Sequence, residues 1–285
     1  LDWPDAAAPP SLAVFEQLQA AWGDRLSLQC VSLTPLDVLA DAATGQSIAQ
    51  RLARANAGGT VALLGAFVYR NDDLHTKLQR VFDLAKQHQL QLDFHVDEGL
   101  HADARGLRAI AELTLGNDYQ GKVTCGHACS LSVQPQTEAM ETLQLCAHAG
   151  IHLVALPSTN LYLQGAWDAT PVERGITRLK EALAAGLSAC IATDNVADGF
   201  YPYGSYDLLQ TWGLGVLAAH LSPADSALST ITTHPAQAMG LAWDGKIRTG
   251  CPADLVLLAA RSPYELLSPA GIQRQVIRGG ACLKV

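Results

Sequence analysis

This chain has no basic excess, no long apolar run and no paired cysteines, and each absence removes a class of function. Lys and Arg number 19 against 27 Asp and Glu, for a formal net charge of −8. A nucleic acid or an anionic membrane would favour a basic face, so neither is expected as a partner. No stretch approaches the ~18 apolar residues of a membrane span. The opening Leu1-Asp2-Trp3-Pro4-Asp5 carries neither the charge pattern of a signal peptide nor an initiator Met. The seven cysteines, at 30, 125, 129, 146, 190, 251 and 282, are odd in number and scattered, which reads as a reduced, cytoplasmic protein. Cys125 and Cys129 form a C-x3-C pair, but no second pair follows and Cys125 falls inside an apolar run. Packing is their expected role. Charged residues make up only 16% of the chain and hydrophobic ones 49%, so it can bury a large core and is not expected to be disordered.

What is present is a regular alternation. Short apolar runs at 26–32, 60–65, 90–95, 122–127, 151–156 and 188–193 read as strands. Helix-period segments lie between them, for example at 11–22, 73–88, 104–115, 137–149 and 177–185. Leu74, Leu78, Val81, Phe82 and Ala85 share one helix face. Gly150 and Gly186 each stand just before a strand, where a helix-ending glycine belongs. Strands without polar alternation, each followed by a helix, imply a parallel sheet covered by helices. Six such units are visible. A closed (β/α)8 TIM-type barrel has eight, so two units are expected upstream of Leu1; a doubly wound open sheet also fits six. After Leu208 the chain turns helical through 230–240, and short β-type segments at 254–258 and 275–278 then follow among Gly and Pro. We therefore expect a barrel portion over 1–240 and a small β-subdomain over 241–285.

In a parallel barrel the chemistry sits at the C-terminal ends of the strands. Three of the runs end in metal-ligand residue types: Phe94-His95-Val96-Asp97-Glu98, Cys125-Gly126-His127 and Ala192-Thr193-Asp194-Asn195. Singly, such a histidine is most simply a packed residue and such an aspartate a helix cap. As a set at one level of successive strands they would converge, and burying such groups without a metal or partner is costly. A neutral imidazole at His95 suits a divalent metal. The carboxylate of Glu98, three residues on, can reach the same cavity without ligating, which suits a general acid/base. The segment Tyr69-Arg70-Asn71-Asp72-Asp73 follows a strand end and could contact substrate, but it is expected rather to enter the next helix with Asp72 as its cap. His101, His148, His152 and His220 follow no strand end that fits the site and are expected at the surface or in packing.

His95-Val96-Asp97-Glu98, then Gly126-His127, then Asp194, resembles the order and spacing of the cytosine deaminase branch of the amidohydrolase superfamily. Further likeness lies in Leu-Pro-Ser-Thr-Asn-Leu-Tyr-Leu-Gln-Gly at 156–165 and Thr-Pro-Val-Glu-Arg-Gly-Ile-Thr-Arg-Leu-Lys at 170–180. It continues in Asp-Asn-Val-Ala-Asp-Gly-Phe-Tyr-Pro at 194–202, and in Thr233-His234-Pro235-Ala236 before a Gly-rich stretch ending in Ala-Asp-Leu255. The resemblance implies hydrolytic deamination of a small nitrogen heterocycle, cytosine or a cytosine-like ring, by attack of a metal-activated hydroxide. It implies one divalent ion, Zn2+ or Fe2+, held by His95 and Asp194 together with a family His-x-His pair that is absent from this sequence and expected upstream. Glu98 would carry the proton to the ring, with His127 and Asp194 orienting water. Thr34, Asn195 and Phe200 would contact substrate, in places where the family carries Gln, a second Asp and Trp. Each ring group left unmatched by such changes costs about 1–3 kcal/mol, so the substrate is expected to differ in the groups it presents. The alternatives are a sibling hydrolase of a triazine, a creatinine-like or pterin-like ring or a cyclic amide, and a barrel that has lost its metal and its catalysis. A homo-oligomer is left open.

Overall fold

The computed structural model describes residues 1–283 apart from 225 and 269–271. Helix α1 (Pro10–Trp22) precedes strand β1 (Gln29–Pro35), which leads through the single turn α2 (Leu36–Leu39) into α3 (Ala42–Ala57). The alternation continues with β2 (Val61–Val68), α4 (Leu74–His88), β3 (Leu92–Val96), α5 (Gly106–Gly116), β4 (Val123–His127) and α6 (Gln136–His148). Then come β5 (His152–Ala155), α7 (Pro157–Leu163), α8 (Leu179–Ala184), β6 (Ser188–Ile191), α9 (Leu208–Ala218) and α10 (Thr233–Ala238). Strands β1 to β6 form one parallel sheet in sequential order. A doubly wound sheet reverses its strand order at a switch point. None occurs here, and the barrel-type order stands. Beyond β1, Leu1–Trp3 adds a parallel bridge, with Trp3 N–H donating to Leu33 O (2.8 Å).

The residue pattern explains these elements. Leu92, Phe94 and Val96 are fully buried on one face of β3, and Phe94 meets Phe82 of α4 with ring centroids 6.2 Å apart. Asp93 and His95 alternate onto the other face. Gly150 and Gly186 end their helices with φ of 62° and 80°, a conformation that favours glycine. Helix α3 buries Gly45, Ile48, Ala49 and Leu52 on one face, at helical spacing. Its start is fixed by Asp41, whose carboxylate accepts from Thr44 N–H (2.9 Å).

Strand β1 lies three residues later than the apolar run suggests. Leu26 is half exposed, while Leu33-Thr34-Pro35 pairs with Gly65-Ala66-Phe67. Proline reads as a turn, but at the end of a strand its missing N–H is harmless. A second sheet of three antiparallel strands, β7 (Leu255–Leu258), β8 (Arg274–Arg278) and β9 (Ala281–Cys282), packs beside the first. Arg274 pairs with Asp207 (2.8 Å), and Arg278 reaches Asp254 (2.8 Å) and Ser27 Oγ (3.1 Å). Among the described residues no helix is long and apolar enough to cross a membrane.

Candidate active site

The register decides which side chains can meet. Pro35, Phe67, His95 and Gly126 stand in one row across β1 to β4 and share a face. The Phe67 ring meets His95 edge-on, centroids 5.5 Å apart at 81°. Thr34, Ala66, Phe94 and Cys125 form the adjoining row on the opposite, helix-covered face, and all four are fully buried. Thr34 is therefore not brought to His95; its hydroxyl donates to Ser32 O (3.4 Å). Pro35 occupies the inward place. Side chains alternate along the strand, so residues 34 and 35 face opposite ways.

His127 ends β4 opposite Val96, on the helix side. Its φ of 69°, followed by 49° at Ala128, breaks the extended run and turns the ring inward. Its Nε2 then lies 3.1 Å from His95 Nδ1, and Asn160 Nδ2 donates to its Nδ1 at 3.1 Å. Burial holds His127 down to about 3, and the neighbouring His95 adds to the shift. Burial likewise holds His95 down to about 4. Both rings are neutral, the form that ligates metals.

Glu98 follows β3 with Oε1 3.6 Å from His127 Nδ1 and Oε2 accepting from the Tyr69 hydroxyl (3.3 Å). Burial, then the charge of nearby Asp194, raises its pKa above the usual carboxylate range. The loop carrying it is clamped by Asp97, which is buried and has φ of 49°. Its carboxylate accepts from Gly106 N–H (3.1 Å) and Leu107 N–H (2.9 Å) at the start of α5, and Ser130 N–H donates to its carbonyl (3.0 Å). Gly106 is needed here, because a Cβ would stand 2.6 Å from Asp97 Oδ1.

Asp194 follows β6 with φ of 60°, and burial pushes its carboxyl up to about 6. Its Oδ2 is buried with no hydrogen-bond partner among the described residues, an arrangement that is costly unless a cation or donor meets it. On the next turn, Asn195 Nδ2 donates to Asp198 Oδ2 (2.6 Å), and Asp198 Oδ1 accepts from Phe200 and Tyr201 N–H (both 2.9 Å). The Phe200 ring is 66% exposed. It stands apart from a cluster in which Tyr162 meets Trp167, Tyr201 and Tyr203 at 5.1, 5.4 and 5.6 Å. Asn195 and Tyr201 also line a cavity of about 560 Å³ between this loop, α9 and Arg274.

The structure thus brings His95, Glu98 and His127 into contact and sets Asp194 near Glu98. Asn195 and Phe200 lie on the adjoining loop, and Thr34 lies elsewhere. Tyr69 joins the group from the segment 69–73 that follows β2, and Phe67 and Asn160 join it without having been singled out by sequence. Of these last two, only Asn160 carried a signal, inside the segment at 156–165. Asp72 is not the cap of α4: Asp73 holds that place with φ of 51° and no side-chain bond. The donor set suits a divalent cation of the zinc or iron kind. His95 offers an uncharged imidazole with only Nδ1 engaged, and Asp194 offers a bare carboxylate oxygen. Among the described residues no group of three His, Cys, Asp or Glu forms a complete site.

Neutral imidazoles and carboxylates thus converge at the strand ends of a parallel, barrel-type sheet. The chain belongs to the amidohydrolase family, whose model matches residues 29–282. It is 40% identical over 281 residues to a pterin deaminase of Rhizobium rhizogenes, covering 97% of this chain and 63% of that protein. It is 26% identical to an N-isopropylammelide isopropyl amidohydrolase of Pseudomonas sp., over 74% of this chain and 50% of the relative. The chain thus spans less than two thirds of the length of these relatives. The 5-methylcytosine deaminase from Klebsiella pneumoniae liganded with phosphonocytosine superimposes with a TM-score of 0.83 at 25% identity, covering 97% of this chain and 68% of that one.

Proposed function

We propose that the protein deaminates an aminopyrimidinone ring hydrolytically, either alone as in cytosine or fused as in a pterin. The observation that carries this reading is the contact of Glu98 with His127 and of His127 with His95, beside the unpartnered Asp194 oxygen. Both rings present a cyclic amidine, a carbon bearing NH2 beside a ring nitrogen. Water adds at that carbon, the ring nitrogen takes a proton, and ammonia leaves as the carbonyl forms. The pterin form is favoured by the 40% identity to a pterin deaminase, and the single-ring form by the match to a cytosine-type deaminase structure.

His95 and Asp194 would hold one divalent ion, Zn2+ or Fe2+, with further donors from outside this chain's described residues. Such a cation supplies a Lewis acid that acidifies water at neutral pH. His95 Nδ1 and His127 Nε2 stand 3.1 Å apart, so one ring nitrogen donates to the other and the two imidazoles hold each other in orientation. His127 in turn faces Glu98 Oε1 at 3.6 Å. Glu98, with its pKa raised by burial, accepts a proton from water and returns it to the ring nitrogen. Asp194 accepts the second water proton and passes it to the leaving amine. Asn195 and Phe200 help select the ring from the rim. In this reading residues 1–240 are the barrel portion and 241–285 a small β-subdomain. The protein works in the cytoplasm on a free small molecule, with no nucleic acid or membrane as partner.

The test is ammonia release from cytosine, 5-methylcytosine, pterin and an aminotriazine by the metal-loaded protein. Turnover of one of the first three is expected. Turnover of the triazine alone, or of none, would overturn the reading.

A further inference from the structure

We propose that Tyr69 is a positioning residue for Glu98: its hydroxyl fixes one carboxylate oxygen so that the other faces His127 and the site interior. The inference rests on the reading of Glu98 as the proton carrier.

Strands β2 and β3 stay in register to Val68↔Val96, and Asp97 N–H donates to Val68 O (3.0 Å). Tyr69 and Glu98 therefore leave the sheet side by side. The Tyr69 hydroxyl donates to Glu98 Oε2 at 3.3 Å, while Oε1 lies 3.6 Å from His127 Nδ1. One carboxylate thus has one oxygen tethered at the rim and one aimed inward. The tyrosine is held on two sides. Its ring stacks on Phe67 with centroids 6.3 Å apart and planes within 8°, and Phe67 in turn meets His95 edge-on. Its backbone N–H donates to Asn71 Oδ1 (2.9 Å), fixing the turn from which it projects. Although the residue is 45% exposed, partial burial of the phenol and then the Glu98 charge push its pKa up to about 12, so it stays protonated. It is therefore a constant donor across the working range of any deaminase.

A glutamate on a loop has three side-chain torsions, and burial alone does not choose among its rotamers. Proton transfer requires the inward oxygen within hydrogen-bond reach of both partners, and small displacements there are costly in rate. A single donor on the rim oxygen supplies that choice without competing for the proton in transit.

The experiment compares wild type, Tyr69→Phe, Glu98→Gln and the double variant as metal-loaded protein. Tyr69→Phe keeps the ring stack and removes only the hydroxyl. It should lower kcat roughly 10-fold, the scale of one hydrogen bond to a charged group, with KM within about twofold and metal content and Tm unchanged. In the Glu98→Gln background the same change should alter kcat less than about twofold, because no proton remains to be positioned. Equal loss in both backgrounds, or no loss in either, would overturn the proposal. If wild type itself releases no ammonia, the deaminase reading fails separately. The positioning claim is then decided by crystal structures of wild type and Tyr69→Phe. Glu98 should hold one rotamer in the first and several in the second; a single retained rotamer in the variant refutes it.

Discussion

Asp97→Asn measures which of two opposed forces governs the loop that carries Glu98. In the fold this carboxylate accepts two backbone N–H groups at the start of α5, at 3.1 and 2.9 Å, which favours its charged form. Burial works against the charge and wins: the pKa is pushed up to about 6, from 3.8. A carboxyl whose pKa is raised in the fold stabilises the protein fully below its unfolded value, and that contribution is lost as pH rises through the folded value. The shift of about two units corresponds to an upper bound of ~3 kcal/mol. Asn keeps one accepting oxygen, loses the other and does not titrate. Its cost is therefore largest near pH 4 and smaller by roughly 1–3 kcal/mol at pH 7.5, where the wild type already bears the buried charge. Asp97→Ala leaves both N–H groups without an acceptor and should cost more than Asn at either pH, by about 1–3 kcal/mol. Urea unfolding of the three proteins at pH 4.5 and 7.5, with Cm and m compared, reads this directly. Groups that titrate alike in all three cancel in the differences. If the Asn penalty instead grows with pH, the two N–H bonds outweigh burial and the reasoning is wrong.

Two further outcomes follow from the same geometry. His95→Ala and Asp194→Ala should each lose bound metal together with activity, because each removes a ligating atom; elemental analysis showing full occupancy in both would remove them from the ligand set. Of the seven thiols, only exposed Cys282 and partly exposed Cys251 should react quickly with a thiol reagent at pH 7.5 in native protein. Burial raises the thiol pKa of Cys30, Cys125, Cys129, Cys146 and Cys190, those of Cys146 and Cys190 to about 12; a count of three or more fast thiols contradicts that packing.

The alternation of strands and helices was legible because burial on both faces of a parallel strand leaves an unbroken apolar run, as in Val61–Val68. His95, Glu98, His127 and Asp194 stood out by residue type at strand ends. How they meet was not readable, since it depends on left-handed backbone at Asp97, His127 and Asp194, which nothing in a non-glycine sequence announces. Thr34 was placed at the site by the resemblance alone, and its row on β1 turns it to the helix side. Tyr69 was noticed only as the start of a turn, because its bond to Glu98 joins residues 29 apart in sequence, across a strand pair. Asp97, flanked by more conspicuous residues, serves the backbone of α5.

The role of Glu98 tests the account most directly, through metal stoichiometry and kcat measured on one sample of Glu98→Gln. Gln preserves the shape of the side chain and an acceptor for Tyr69, but it cannot carry a proton. The account predicts metal content equal to wild type, KM little changed, and kcat lower by about 10²–10⁴. Wild-type kcat would make Glu98 a solvated loop carboxylate, and joint loss of metal and rate would make it a ligand. Either result would contradict the reading of this site.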